Sequence, residues 1–92
     1  METGAIETGE IDVIVTDGTM RALPGATGEL VAQSGENRLE VSNVQGTMAY
    51  RMLAPGHYSV TVRLTGFKPR TVDDVEIEMN DRKILRLTLE PA

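Results

Sequence analysis

The stretch PGHYSVTVRLTGF, residues 55–67, carries the clearest structural signal in the sequence. Its apolar side chains recur at every second position, at Tyr58, Val60, Val62 and Leu64. Because successive side chains of a β-strand point to opposite faces, this spacing predicts a strand with one buried and one solvated face. Pro-Gly before the run and Gly-Phe after it are typical of turns, since glycine reaches positive φ and proline presets φ at about −65°.

The same alternation recurs on both sides of this stretch, and turn signals such as Asp17-Gly18, Gln45-Gly46 and Asn80-Asp81 separate the segments. Seven short strands with closely spaced turns predict an all-β fold, a seven-stranded, mostly antiparallel β-sandwich. In the weaker segment 47–53, we expect Met48, Tyr50 and Met52 to line one face. The remaining segments are clear at residues 11–15, 75–79 and 85–89 and weaker at 26–33 and 39–44.

Length and composition restrict the organisation and the class of partner. The 92 residues leave room for one domain, predicted at residues 10–90, and we interpret residues 1–9 as a flexible leader or a cloning remnant without the features of a signal peptide. No apolar run reaches the roughly 18–20 residues of a membrane-spanning helix. With 14 acidic and 9 basic residues the net charge is −5, which argues against nonspecific nucleic-acid binding. The chain has no cysteine, so disulfides and thiolate metal sites are excluded.

No residue pattern indicates catalysis, a cofactor or a metal site, so we expect the protein not to be an enzyme. His57 is the single histidine and is expected to be a plain turn residue, since the chain has neither a second histidine nor a Gly-x-Ser-x-Gly nucleophile motif. The acidic residues near the C-terminus are expected to form a solvated strand face. Weak Ca²⁺ binding there stays open, although no Ca²⁺-binding loop motif is present. These residues are Asp73, Asp74, Glu76, Glu78 and Asp81.

Charge is unevenly distributed, because residues 37–72 hold five basic residues and one acidic residue. Cross-strand pairing on solvated faces is one interpretation, and each such pair contributes a few tenths of a kcal/mol. The alternative is that Arg51 and Arg63 share a basic stripe that docks an acidic partner, with Tyr50 as a third candidate partner-binding residue.

The order of turn motifs and alternating strands resembles that of a carboxypeptidase regulatory-like domain. This family has a transthyretin-like, Ig-like Greek-key β-sandwich fold. The similarity extends from Gly9 to Leu89, and it implies structural roles for its motif residues. Two departures are expected to loosen one end of the core: Gly28 replaces a common valine, and Met48 replaces the usual aromatic residue. The motif residues are Pro24, Gly25, Asn43, Gly46, Pro55, Gly56, Tyr58, Gly66 and Phe67.

The resemblance implies a noncatalytic accessory or interaction module of a larger, extracellular or periplasmic bacterial protein. Its partners would be neighbouring domains or another protein, without direct membrane insertion. A carbohydrate-binding module that uses a loop rim or sheet face is the alternative, and it requires a solvent-exposed Tyr50. Pairing through an unprotected edge strand is also open, and so is the oligomeric state.

Overall fold

Seven strands form the part of the chain that the computed structural model describes, residues 8–92. The residues before Thr8, which make up most of the predicted leader, lie outside the described residues. Gly9 already belongs to the first strand, so the strand begins one residue before the predicted boundary at Glu10. The strands are β1 (Gly9–Thr16), β2 (Thr27–Ala32), β3 (Asn37–Val41), β4 (Thr47–Leu53), β5 (Gly56–Arg63), β6 (Arg70–Ile77) and β7 (Arg82–Thr88).

The strands form two stacked sheets, with the orders β4-β1-β7 and β3-β2-β5-β6. All pairings are antiparallel except that of β1 with β7, which runs parallel from Glu10↔Arg82 to Thr16↔Thr88. The predicted seven-stranded, mostly antiparallel β-sandwich is therefore confirmed. Within residues 8–92 there is no helix long and apolar enough to cross a lipid bilayer.

The parallel pair places the two ends of the domain at opposite poles. At the entry pole β1 begins, and the turns of residues 33–36, 54–55 and 78–81 lie beside it. At the exit pole β1 and β7 end, next to the loops of residues 17–26, 42–46 and 64–69. The chain therefore enters the sandwich at one pole and leaves it at the other.

The core lies between the sheets and is built from the alternating apolar residues of six strands. Because these side chains leave water together, their burial supplies the main stabilising free energy. Leu23, Leu64, Phe67, Val72 and Leu85 pack against its edges. The buried residues are Ile11, Val13, Val15, Ala26, Leu30, Ala32, Met48, Tyr50, Leu53, Tyr58, Val60, Val62, Val75, Ile77, Leu87 and Leu89.

The turn motifs at the exit pole act through side-chain hydrogen bonds and positive φ. The Asn43 side-chain oxygen accepts hydrogen bonds from the backbone N–H groups of Gln45 and Thr47, at 2.9 and 3.0 Å. Gly46, with a φ of 76°, donates its N–H to the Asn43 carbonyl at 2.8 Å. The predicted self-capped Asn-Gly turn is therefore confirmed.

A bulge in β4 changes the predicted face of Met52. Gly9 pairs with Leu53 but Ile11 pairs with Tyr50, so two residues of β4 face one residue of β1. Met52 takes the left-handed conformation, with a φ of 57°, and its side chain is 67% exposed. The prediction that Met52 lies on the same face as Met48 and Tyr50 is wrong. The extra residue shifts the alternation of β4 by one position, so Leu53 is buried in place of Met52.

Tyr50 joins the two sheets through the core. Its hydroxyl donates a 2.6 Å hydrogen bond to the carbonyl of Gly28 in the opposite sheet. A Cβ added to Gly28 would collide with the Met48 sulfur and would lie 2.5 Å from the Tyr50 oxygen. The expectation of a looser core at this end is wrong, since the space that a valine would occupy at Gly28 is filled by Met48 and Tyr50.

We therefore predict that Gly28→Ala destabilises the domain by about 1–3 kcal/mol, because the added methyl overpacks the core. Gly18→Ala is the matched control, since nothing lies within 4 Å of a Cβ at Gly18 and its φ is not positive. Urea unfolding measures both changes. Equal free energies of unfolding for the two variants would contradict the close packing at Gly28.

Burial, and secondarily the negative charge of Glu40, raises the pKa of Tyr50. The folded state therefore resists ionisation of this phenol, while the unfolded chain ionises it at about pH 10. Its stabilising contribution is complete below pH 10 and is lost as the pH rises above that value, by on the order of 1 kcal/mol per pH unit.

We expect the free energy of unfolding of the wild type to fall more steeply above pH 10 than that of Tyr50→Phe. Tyr50→Phe lacks the hydrogen bond at every pH but has no proton to lose at this position. Chemical denaturation at several pH values between 8 and 11 gives the two curves. Parallel curves would show that the Tyr50 hydroxyl titrates alike in the folded and the unfolded chain.

Candidate functional site

A groove crosses the entry pole of the sandwich. It consists of three adjoining depressions of 270, 350 and 130 Å³. Ala32 and Tyr58 line all three, Glu36 and Ala54 line the second and third, and His57 lines the first and second. The groove therefore runs from the corner between β3 and β4, past the turn before β5, to the start of β5.

Tyr58 forms the floor of this groove and anchors the turn at its side. Its ring is buried in the core, and its hydroxyl donates a hydrogen bond to the carbonyl of Ala54, directly before Pro55-Gly56. Burial, together with the nearby Glu36 carboxylate, raises the pKa of this hydroxyl. The predicted role of Tyr58, a buried ring whose hydroxyl bonds to the backbone, is confirmed.

His57 and Asp74 form a pair at one end of the groove. His57 Nδ1 lies 2.8 Å from Asp74 Oδ1. Asp74 has a φ of 58° and occupies a bulge in β6, because Tyr58 pairs with Val75 while Val60 pairs with Val72. His57 belongs to β5, so the expectation of a plain turn residue is wrong. The signal in the sequence is the three-residue spacing between Val72 and Val75, which both pack on the core, because an inserted residue breaks a two-residue period.

The chemistry available to this pair is limited. A carboxylate that accepts the Nδ1–H proton leaves Nε2 as the free acceptor of the neutral ring. Ser59 also lines the first depression, but in the described part of the chain no hydroxyl forms a hydrogen bond with His57. The arrangement therefore lacks the nucleophile–base contact that covalent catalysis needs.

The predicted acidic residues do not converge on one point. Asp74 faces His57, while Asp81 accepts a 2.9 Å hydrogen bond from the backbone N–H of Glu78 within its own turn. Between residues 8 and 92, no group of three or more histidine or acidic side chains is placed to hold a metal ion. The geometry gives no support to the Ca²⁺ alternative.

The three candidate partner-binding residues lie apart. Arg51 belongs to β4 and Arg63 to β5, so they are exposed on different sheets, and the prediction of one shared basic stripe is wrong. Tyr50 is 1% exposed and points into the core. Its predicted role in partner binding is corrected to a structural one. Alternation alone could not assign Arg51 and Arg63 to a sheet, because it does not say which strands pair.

Comparison with known families settles the class of domain. The family model for the carboxypeptidase regulatory-like domain matches residues 10–90. The chain belongs to this family. The resemblance inferred from the turn motifs is therefore confirmed, whereas a search of curated proteins finds no match.

Solved structures share the fold of this regulatory-like domain at low sequence identity. The TIE protein of Bacillus anthracis superposes with a TM-score of 0.78 at 17% identity, over 94% of this chain and 17% of that one. A minor pilin of Streptococcus agalactiae gives 0.72 at 17% identity, over 94% and 45%. The 5-hydroxyisourate hydrolase of Klebsiella pneumoniae gives 0.70 at 22% identity, over 91% of both chains. The domain thus spans less than half of the first two proteins.

We predict that neutral His57 carries its proton mainly on Nδ1, because the Asp74 carboxylate accepts it there. Asp74→Ala should move most of the population to the Nε2–H form, whereas Asp73→Ala, a change to the adjacent carboxylate, should leave it unchanged. Long-range proton–nitrogen NMR of the imidazole distinguishes the two forms. A mainly Nε2–H ring in the wild type would contradict the contact.

Proposed function

We propose that this domain is a noncatalytic spacer of a larger extracytoplasmic protein, which separates the domains on either side of it. One observation carries the proposal. Because β1 and β7 are parallel neighbours, the chain enters at one pole of the sandwich and leaves at the other. A strand of eight residues spans about 26 Å, so each such domain adds a fixed length between its neighbours.

The same pairing suits a domain that carries tension between its neighbours. Tension applied at the two ends pulls β1 and β7 in opposite directions along their common axis. Their seven register pairs, from Glu10↔Arg82 to Thr16↔Thr88, are then loaded together rather than in sequence. Arg82 adds ion pairs to Glu10 and Asp12 of β1, at 3.1 and 3.3 Å.

The side-chain chemistry of the entry-pole groove supports a noncatalytic role. The single histidine has one carboxylate partner, and among the described residues no hydroxyl is hydrogen-bonded to it. Carbohydrate binding has no comparable support, because both tyrosine rings are buried and Phe67 packs against the core. The Tyr50 side chain that this alternative required is not accessible.

Structural relatives support the setting outside the cytoplasm. The minor pilin of Streptococcus agalactiae contains this fold in a chain more than twice as long as the matched region. Pilins act at the cell surface, and a sandwich repeated or inserted along such a chain would set the distance between its other parts. We extend this setting to the present domain as part of the proposal.

Single-molecule pulling tests the spacer proposal, and the absence of native cysteine permits unambiguous attachment. Thr8→Cys with Glu90→Cys loads β1 and β7 in shear, as the native connections would. Thr8→Cys with Lys83→Cys applies the force to both strands at the entry pole. The strands β1 and β7 then separate from that pole onward, one residue pair at a time.

We expect the shear attachment to unfold at a force several times higher than the peeling attachment. The separation of labels at positions 8 and 90 in the folded domain should also be narrow in distribution and at least about 25 Å. Equal unfolding forces, or a short separation of the labels, would rule out the spacer proposal.

A further inference from the structure

Strand β3 presents an open edge of the four-stranded sheet. All five of its residues are exposed, and the side chains of Leu39 and Val41 are 65% and 61% exposed on the outer face. An exposed edge of this kind, with apolar side chains and free backbone groups, is a template for pairing with another strand. Most proteins protect such an edge, so an unprotected β3 suggests that another strand pairs with it.

The register of β3 shows which backbone groups are free. Ala32 donates its N–H to Glu36 and Ser42 donates its N–H to Ala26, which fixes the alternation of hydrogen-bonded pairs between β2 and β3. Arg38 and Glu40 consequently direct their backbone groups at β2. The N–H and C=O groups of Asn37, Leu39 and Val41 point to the open edge.

The three other sheet edges of the described residues are each obstructed. On β4, the carbonyls of Arg51 and Met52 accept hydrogen bonds from the Arg38 guanidinium. On β6, the bulge at Asp74 interrupts a regular ladder. On β7, antiparallel self-pairing about Ile84 would place Arg82 opposite Arg86, and like charges directly opposite are destabilising.

The sequence of β3, Asn-Arg-Leu-Glu-Val, is complementary to itself in the antiparallel direction. We propose that β3 pairs with β3 of a second copy of this chain, about a two-fold axis through Leu39. Arg38 then faces Glu40 of the second copy, and Glu40 faces its Arg38. The two Leu39 side chains meet on the outer face, and Asn37 lies opposite Val41.

This pairing gives hydrogen-bond partners to the free backbone groups of β3, and its small area determines how tightly the two copies bind. Residues 37, 39 and 41 exchange six backbone hydrogen bonds with the second copy, and the two four-stranded sheets become one continuous sheet of eight strands. Two five-residue strands bury much less surface than a standard interface, so we expect a dissociation constant of about 0.1–1 mM. The proposal does not depend on the spacer role, because the edge and the poles are different surfaces.

Analytical ultracentrifugation up to about 1 mM chain tests the association. We expect a reversible monomer–dimer equilibrium that Leu39→Lys weakens at least tenfold, since two lysines would meet on the axis. Ile84→Lys is the matched control, because Ile84 is 53% exposed on the β7 edge, and it should leave the dissociation constant unchanged. Glu40→Lys, which places a lysine opposite Arg38, replaces Leu39→Lys if that variant fails to fold.

Oxidative trapping tests the register in the otherwise cysteine-free chain. Residues of a hydrogen-bonded antiparallel pair have Cα atoms about 5.5 Å apart, which a disulfide can span. Leu39→Cys should therefore form a covalent dimer at least ten times faster than Ile84→Cys. A monomer at 1 mM, an unchanged dissociation constant in Leu39→Lys, or equal rates of trapping would each overturn the proposal.

Discussion

The interior of this domain is a single apolar layer shared by two sheets, and every strand that contributes to it must turn alternate side chains inward. This constraint accounts for the irregularities of the chain. The β4 bulge exposes Met52 so that Leu53 can enter the layer. The β6 bulge returns Val75 and Ile77 to the interior and leaves Asp74 outside, against His57. Gly28 keeps the layer thin enough for the Tyr50 hydroxyl to reach the opposite sheet.

Much of this architecture is readable from the residues. Alternation at Ile11–Val15 and Tyr58–Val62, with turns built on Asn43, Gly46 and Pro55-Gly56, predicts the seven strands and the sandwich. The failures in β4 and β6 both occur where an inserted residue shifts the two-residue period. In β6 the shift shows as the three-residue spacing of Val72 and Val75, whereas in β4 the adjacent apolar residues Met52 and Leu53 do not reveal which of them is buried. Met52 and Asp74, both at positive φ, are such insertions. The positions of Arg51 and Arg63 on separate sheets depend on strand pairing, which alternation does not encode.

The surface properties follow from the same topology. The groove at the entry pole lies beside the turn that Tyr58 holds before β5, and the β6 bulge places Asp74 against His57. Three sheet edges are blocked by a guanidinium, a bulge or like charges, and β3 is left open. Within residues 8–92, the groove brings one histidine against one carboxylate, whereas the β3 edge offers ordered backbone groups to another strand.

The separation of the two chain ends also determines how such a domain can be combined with others during evolution. A domain whose ends are adjacent can be inserted into a surface loop of a host protein without disturbing it. Here the first and last strands run side by side in the same direction, so the ends are a strand length apart. Insertion into a tight loop would force the flanking strands of the host apart, and a circularly permuted form would need a linker long enough to retrace the sandwich. Duplication end to end meets neither obstacle, so gene fusion in series is the route that this topology favours.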